Sequence, residues 1–236
     1  MRTTEELPAR KSAHSAAGAL LAAGVAVAGT TALRNWQRRW AASPDEIEAQ
    51  LPGDEQIAEP VSQQTRAITI QAPVADVWPW IVQLGADRAG FYSYDWLENI
   101  FGLGIHSADV IVPAWQALSV GDLVRANRTG DGGWYVVELR PEHTLAMKVA
   151  DVKQARPIRR DEGLRWEFLW TFAVLPVDDG NTRLLVRERV AFGRALTRWL
   201  MSPVGLVSFV MTRRMLIGIR QRAELLAHGS SAHHDR

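Results

Sequence analysis

The 236-residue chain is 47% hydrophobic and 22% charged, the balance of a globular protein with enough apolar surface for a real core. A net charge of +1 gives no electrostatic case for nucleic acid as a partner. The lack of cysteine excludes disulfides, thiolate catalysis and zinc–thiolate sites, while ten tryptophans against three tyrosines suit membrane boundaries or a broad apolar pocket.

Residues 12–33, SAHSAAGALLAAGVAVAGTTAL, carry no charge fixed at neutral pH and lie between Arg10–Lys11 and the basic stretch RNWQRRW. At about 1.5 Å per residue a helix of this length just crosses a bilayer core, with Trp36 and Trp40 at the interface. Three readings stay open: a membrane anchor, a signal peptide cleaved at Ala26-Val27-Ala28, and a loosely helical leader. The arginines that follow the span favour a cytoplasmic C-terminal domain if it is an anchor, whereas cleavage would export the domain. Residues 43–64, acidic and punctuated by proline, read as a tether between this leader (1–42) and a folded domain.

From residue 65 the pattern is ordered. TRAITIQ alternates as a first strand, and PVADVWPWIVQL spaces Val74, Val77, Trp78, Ile81 and Val82 as a helix that Pro79 should kink or shorten. SYDWLENIFG reads as a second short helix. Strands follow without intervening helices: GDLVRAN, WYVVELR and LAMKVADV. Then LRWEFLWTFAVLPV and TRLLVRERVAF flank DDGN, a strong hairpin signal. Trp166, Phe168, Trp170, Phe172 and Val174 share one face by period two, opposite an apolar row of Leu184, Val186 and Val190 that Glu188 interrupts. A long helix is expected from Pro203 to Ala227, including Val207, Val210, Met211, Met215 and Ile219, before a polar tail at 229–236. One antiparallel sheet with segregated helices is an α+β architecture, with the domain at residues 65–228.

The opening RAITIQAPVADVWPWIVQLG, the late hairpin WEFLWTFAVLPVDDGNTRLLVRERV and the terminal helix MTRRMLIGIRQRAE resemble the SRPBCC superfamily, which includes START-like proteins, polyketide cyclase/dehydratases and the birch-pollen allergen. The resemblance spans residues 65–227, and GFYSYDWLEN…IHSADVIVPAWQ is similar to an actinobacterial-type subgroup whose function is mostly undefined. It implies the helix-grip fold, a curved antiparallel sheet wrapped around a long C-terminal helix. It also implies a cavity for a small hydrophobic or lipid-like molecule, and no metal or organic cofactor.

The stretch GFYSYDWLENIFGLGIHSADVIVPAWQ, residues 90–116, is expected to close one end of that cavity. Trp96, Phe101 and Trp115 would pack inward, and Tyr92, Tyr94, His106 and Asp109 would set the polarity of its mouth. The aromatic face of Trp166, Phe168, Trp170 and Phe172, with Met211 and Met215 of the last helix, would line the interior. His106 with Asp95 or Asp109 is the local cluster able to do acid–base work, against the alternative that His106 and Asp109 hold a loop backbone. Together with Glu98 they are chemically possible metal ligands, but no spacing matches a metal motif. Arg125 and Glu188 form either a cavity ion pair or a hairpin end in solvent, the second being preferred. The leading functional expectation is carriage or sensing of a small hydrophobic or lipid-like ligand, membrane-tethered through residues 12–33. The alternatives are a cyclase/dehydratase-type enzyme and an interaction domain whose cavity has collapsed.

Overall fold

The computed structural model describes residues 28–100, 104–159, 166–192 and 204–234. The chain divides into two units, residues 1–37 and 38–236. In the first, residues 28–37 are helical. No helix among the described residues is long and apolar enough to cross a membrane. Of the candidate span 12–33, residues 12–27 lie outside the described residues.

The second unit is α+β. Seven antiparallel strands form one curved sheet: β1 (Ser62–Ile70), β2 (Leu123–Arg125), β3 (Gly133–Arg140), β4 (Thr144–Asp151), β5 (Arg156–Pro157), β6 (Trp166–Pro176) and β7 (Thr182–Phe192). The order across it is β1-β7-β6-β4-β3-β2, with β5 paired to the free part of β4. β5 falls inside the polar loop after LAMKVADV, where two residues are too few to show a period. The β6–β7 hairpin closes at DDGN as its composition demands, with Gly180 at φ +75° and Asn181 accepting from the Val177 amide at 3.0 Å.

Among the described residues of this unit, four α-helices accompany the sheet: α1 (Pro44–Glu48), α2 (Val74–Val82), α3 (Asp95–Ile100) and α4 (Val204–His234). α2 runs through Pro79 and ends within one turn of it, buried at Val77, Trp78, Trp80, Ile81 and Val82. α4 is one unbroken helix packed beside α2 and β1. It reaches His234, past the expected end at Ala227. Its buried side is Phe209, Thr212, Met215, Leu216, Ile219 and Ala223, so Val207 and Val210, expected to pack on the sheet, face solvent. Gly218 sets how closely α4 approaches: a Cβ there would collide with the carbonyl oxygen of Tyr92 and lie 2.9 Å from its Cβ.

Residues 43–64 are not a tether. Ser43 and Glu46 form a reciprocal capping box that starts α1, with Glu46 Oε2 accepting from the Ser43 amide at 2.7 Å. Leu51 and Ile57 are buried on the outer face of the sheet, against Leu185 and Ala67 and against Leu169 and Ala191 respectively. Asp54, in a 3-10 turn (Asp54–Ile57), is buried beside them. Two of the acids that suggest a solvated linker, Glu46 and Asp54, are instead spent on arginines of β7. Arg183 grips Glu46 through two bonds of 2.7 and 2.9 Å, and Arg187 meets Asp54 at 2.6 Å. β6 and β7 are therefore covered on both faces, with cores of different character.

Candidate ligand-binding site

On the inner face, period two brings Phe168, Trp170, Phe172 and Val174 of β6 to one side, as the sequence predicts. Phe91, just after α2, and Trp134 of β3 complete an aromatic wall. Ring centroids lie 5.2 Å apart for Trp134–Trp170, 5.8 Å for Phe91–Trp134 and 6.1 Å for Phe91–Trp170. α4 faces this wall with Met211 and Met215, and between them is a cavity of about 260 Å³. Flat rings and flexible thioethers leave such a space because rigid aromatics on a curved sheet do not interdigitate fully with a straight helix.

One wall carries a charge. Glu188 is 3% exposed, and its carboxylate is fully engaged with the protein. Oε1 accepts from Arg66 Nη1 at 2.7 Å and from Thr212 Oγ1 at 2.8 Å, while Oε2 accepts from Ser208 Oγ at 2.7 Å. Arg66 is itself buried, stacks over Phe209 at 5.6 Å and donates to Gln64. A buried carboxylate is tolerable only with such pairing and bonding. Both charges lie on inward rows: Arg66 shares parity with Ile68 and Ile70, and Glu188 with Val186 and Val190, in register Gln64↔Glu188 and Arg66↔Val186.

This corrects the preferred reading of Glu188 as a hairpin end in solvent, and also the pairing with Arg125. Arg125 meets Asp87 at 3.2 Å, with both side chains well exposed. The true partner was legible, since Arg66 is a charge on the apolar row of its own strand. Ser208 and Thr212, four residues apart on α4, supply the remaining bonds. Phe91, Ser93 and Ile105 come from the stretch 90–116 expected to close the cavity, though other residues of it were singled out, and no sequence signal marked Ala126 or Trp134.

Polar groups on the aromatic side are unmatched. Six buried side-chain polar atoms lack a hydrogen-bond partner among the described residues, and three belong to cavity residues: Ser93 Oγ, Trp134 Nε1 and Trp170 Nε1. All three atoms are shut away from the cavity as well as from solvent, so the surface the cavity presents is almost wholly apolar.

The stretch 90–116 is a scaffold built around Gln83, which is fully buried and uses its whole amide. Nε2 donates to the Tyr92 hydroxyl at 2.9 Å and the Val110 carbonyl at 3.1 Å; Oε1 accepts from the Val112 amide at 3.1 Å and Gln116 Nε2 at 3.2 Å. Asp95 holds the Ser107 amide at 3.0 Å and hydroxyl at 2.6 Å, and Asn99 brackets both backbone groups of Ile105. Arg222 of α4 reaches the Ala108 carbonyl at 2.8 Å and Asp109 at 2.6 Å, with its guanidinium over the Tyr92 ring at 4.9 Å.

Of the residues expected at the mouth, Tyr92 is buried and packs edge-on against Trp80; burial pushes its phenol well above the usual range, so it stays neutral. Tyr94 lies beside Trp96, which is exposed, and under Arg214. Trp115 packs against the core from a 3-10 turn (Pro113–Trp115), its carbonyl accepting from Arg88. Trp166 stands at the end of the aromatic row, 5.7 Å from Phe168, and Phe172 belongs to the closed core below the cavity. Phe101 and the side chain of Glu98 lie outside the described residues. Of the sequence-predicted set, the cavity brings together Phe168, Trp170, Glu188, Met211 and Met215.

His106 is exposed, and among the described residues no hydrogen bond or ion pair joins it to Asp95 or Asp109. Both acids are committed elsewhere, Asp95 to the Ser107 amide and hydroxyl and Asp109 to Arg222, so the loop-backbone role expected of His106 and Asp109 is taken by Asp95 instead. Among the described residues no group of three or more His, Asp or Glu could hold a metal ion.

No family model matches the chain, and no curated protein matches it. Solved structures do. Protein Ms6760 from Mycobacterium smegmatis is 18% identical over 71% of this chain and 92% of its own, with a TM-score of 0.36. A protein from Arthrobacter aurescens is 14% identical over 75% and 91%, TM-score 0.39. CalU16 from Micromonospora echinospora is 14% identical over 69% and 84%, TM-score 0.32. At these scores the likenesses carry no functional argument, and the fold stands on the sheet order and the helix described above.

Proposed function

We propose that the second unit binds a small, mainly apolar molecule in the cavity between the aromatic wall and α4. The observation that carries this reading is the cavity itself: about 260 Å³ lined by Phe91, Trp134, Phe168, Trp170, Met211 and Met215. An interior collapsed by its tryptophans, the interaction-domain alternative, would have left no such space. The volume lies just below the roughly 300–1,000 Å³ of sites for drug-sized ligands, and above the ~150 Å³ of an apolar cavity that accepts benzene. It suits a molecule of about two fused rings or a short branched chain. The enzyme alternative rested on His106 with Asp95 or Asp109, and these stand apart from the cavity lining, so binding is the reading the geometry favours.

The test is uptake of N-phenyl-1-naphthylamine by the full-length protein, followed by its fluorescence. Saturable enhancement is expected, with loss of that signal in Met211→Trp, which fills the cavity while far-UV circular dichroism stays unchanged. A signal that never saturates, or that the filled variant retains, sinks the proposal.

A further inference from the structure

We infer that the cavity selects hydrocarbons, aromatic or branched, over oxygenated molecules of the same size and shape. The inference deepens the binding reading above and rests on it.

The observation that carries it is where the polar side-chain atoms of the lining are turned. On the sheet side the indole N–H groups of Trp134 and Trp170 and the hydroxyl of Ser93 are shut away from the cavity as fully as from solvent. What the two tryptophans present to the space is ring surface, with centroids 5.2 Å apart. On the helix side Ser208 and Thr212 turn their hydroxyl hydrogens onto Glu188 at 2.7 and 2.8 Å, and Arg66 Nη1 donates to the same carboxylate at 2.7 Å. Glu188 is 3% exposed and Thr212 4%, so this group of side chains satisfies itself behind the wall. Phe91, Ile105, Phe168, Met211 and Met215 complete the lining with carbon and thioether surface. A ligand therefore meets apolar surface on every side, and no polar side chain is turned toward it.

A methyl group entering such a space leaves water at a gain. A hydroxyl of the same size gives up its hydrogen bonds to water and finds none in return. In an apolar pocket that exchange costs about ten- to a hundredfold in affinity. A charged group fares worse, because the ion pair at the wall, Arg66 with Glu188, is already complete. A space of about 260 Å³ suits two fused rings, so a substituent on them is taken in with the rest.

Two isosteric pairs test this: 1-methylnaphthalene with 1-naphthol, and 2-methylnaphthalene with 2-naphthol, by sealed equilibrium dialysis against the full-length protein at pH 7. The two positions aim the substituent at different parts of the wall. Binding is counted as the part lost in Met211→Trp, the filled variant, with far-UV circular dichroism unchanged. A hydrocarbon leaves water more readily whatever receives it, so each affinity ratio is set against the partition ratios of the same pair. Octanol hydrogen-bonds a hydroxyl and cyclohexane does not. In both pairs the methyl compound is expected to be favoured by at least about ten times the octanol ratio, approaching the cyclohexane ratio. A smaller excess in either pair overturns the inference and leaves the binding reading standing, since the hydroxyl then keeps a hydrogen-bond partner in the bound state. If Met211→Trp removes binding of none of the four, the binding reading fails and this inference falls with it.

Discussion

Arg187 and Glu188 are neighbours on β7, both buried and both ion-paired, yet they point to opposite faces of the sheet and do different things. Arg187 faces outward under residues 43–61 and uses every N–H it has. Nε donates to Thr65 at 3.0 Å, Nη1 to Asp54 and the Ala49 carbonyl at 2.6 Å each, and Nη2 to the carbonyls of Glu46 and Ile47 at 2.7 and 3.2 Å. Three of its five partners are backbone carbonyls of a segment with little secondary structure. That guanidinium replaces the sheet and helix ladders that would otherwise satisfy them. Glu188 faces inward, ties β7 to β1 and α4 through side chains alone, and forms part of a cavity wall. The outer pair holds backbone to backbone; the inner pair sets the electrostatics of a space. A buried charge on a strand is thus not by itself a sign of function. Both are saturated within the protein; what distinguishes them is that a cavity adjoins Glu188 and not Arg187.

The sharpest way to break this contrast is Arg187→Met. It should cost about 3–5 kcal/mol, because it leaves buried Asp54 with Arg189 alone, at 3.2 Å, and frees three carbonyls. Urea denaturation checks it, and a loss below about 1 kcal/mol would mean that residues 43–61 are held by Leu51 and Ile57 instead.

Glu188→Ala should cost roughly 2–4 kcal/mol, somewhat less, since Arg66 keeps its bond to Gln64 and its stacking on Phe209. The informative comparison is between double variants. Replacing both charges of the inner pair, Arg66→Met with Glu188→Leu, should recover most of that loss, because both ions leave and the groups that lose a partner, the Ser208 and Thr212 hydroxyls and the Gln64 amide oxygen, are neutral. The matching outer change, Arg187→Met with Asp54→Leu, should stay destabilised by about 2 kcal/mol or more, since the carbonyls of Glu46, Ile47 and Ala49 still lack donors. Equal recovery in both pairs would remove the distinction drawn here.

Acid titration separates the faces more gently. The Arg183 hydrogen bonds hold the Glu46 carboxyl below its ordinary range, aided by the Ser43 amide and opposed by partial burial. A depressed folded value stabilises the protein above the unfolded pKa, near 4.3 for Glu, and that contribution is lost as pH falls through the folded value. Glu46→Gln should therefore lower the urea midpoint slightly at pH 6, with the difference from wild type shrinking below about pH 4. A gap that stays constant or widens in acid would show that Glu46 acts through its cap alone.

How much of this could be read beforehand differs between the faces. The inner face was largely legible: the period of WEFLWTF placed Phe168 and Trp170 on it, the hairpin at DDGN set the partner strand, and Met211 and Met215 fell on the facing helix. Glu188 stood out as a charge in an apolar row, and Arg66 could have been found by the same rule. The outer face was not legible. SPDEIEAQLPGDEQIAEPVSQQ has no period and the composition of a solvated linker, and only the arginines of β7, more than 120 residues away, turn it into packed structure. The stretch 90–116 misled for a related reason. Its tyrosines, histidine and acids suggest chemistry when listed together. Its organiser, Gln83, is an unremarkable residue outside it, and Asp95 and Asn99 are occupied with their own backbone.

The amino-acid sequence by itself determined the elements and the faces of this domain, because strand and helix periods are local and repeat within ten residues. The hairpin register, the long last helix and the aromatic inner row all follow from it. Which charges pair, which acids stay solvated and where space remains unfilled were decided only in three dimensions. Ion pairing joins residues far apart in the chain, and a cavity is the mismatch between a curved aromatic sheet and a straight helix, a property of neither segment alone.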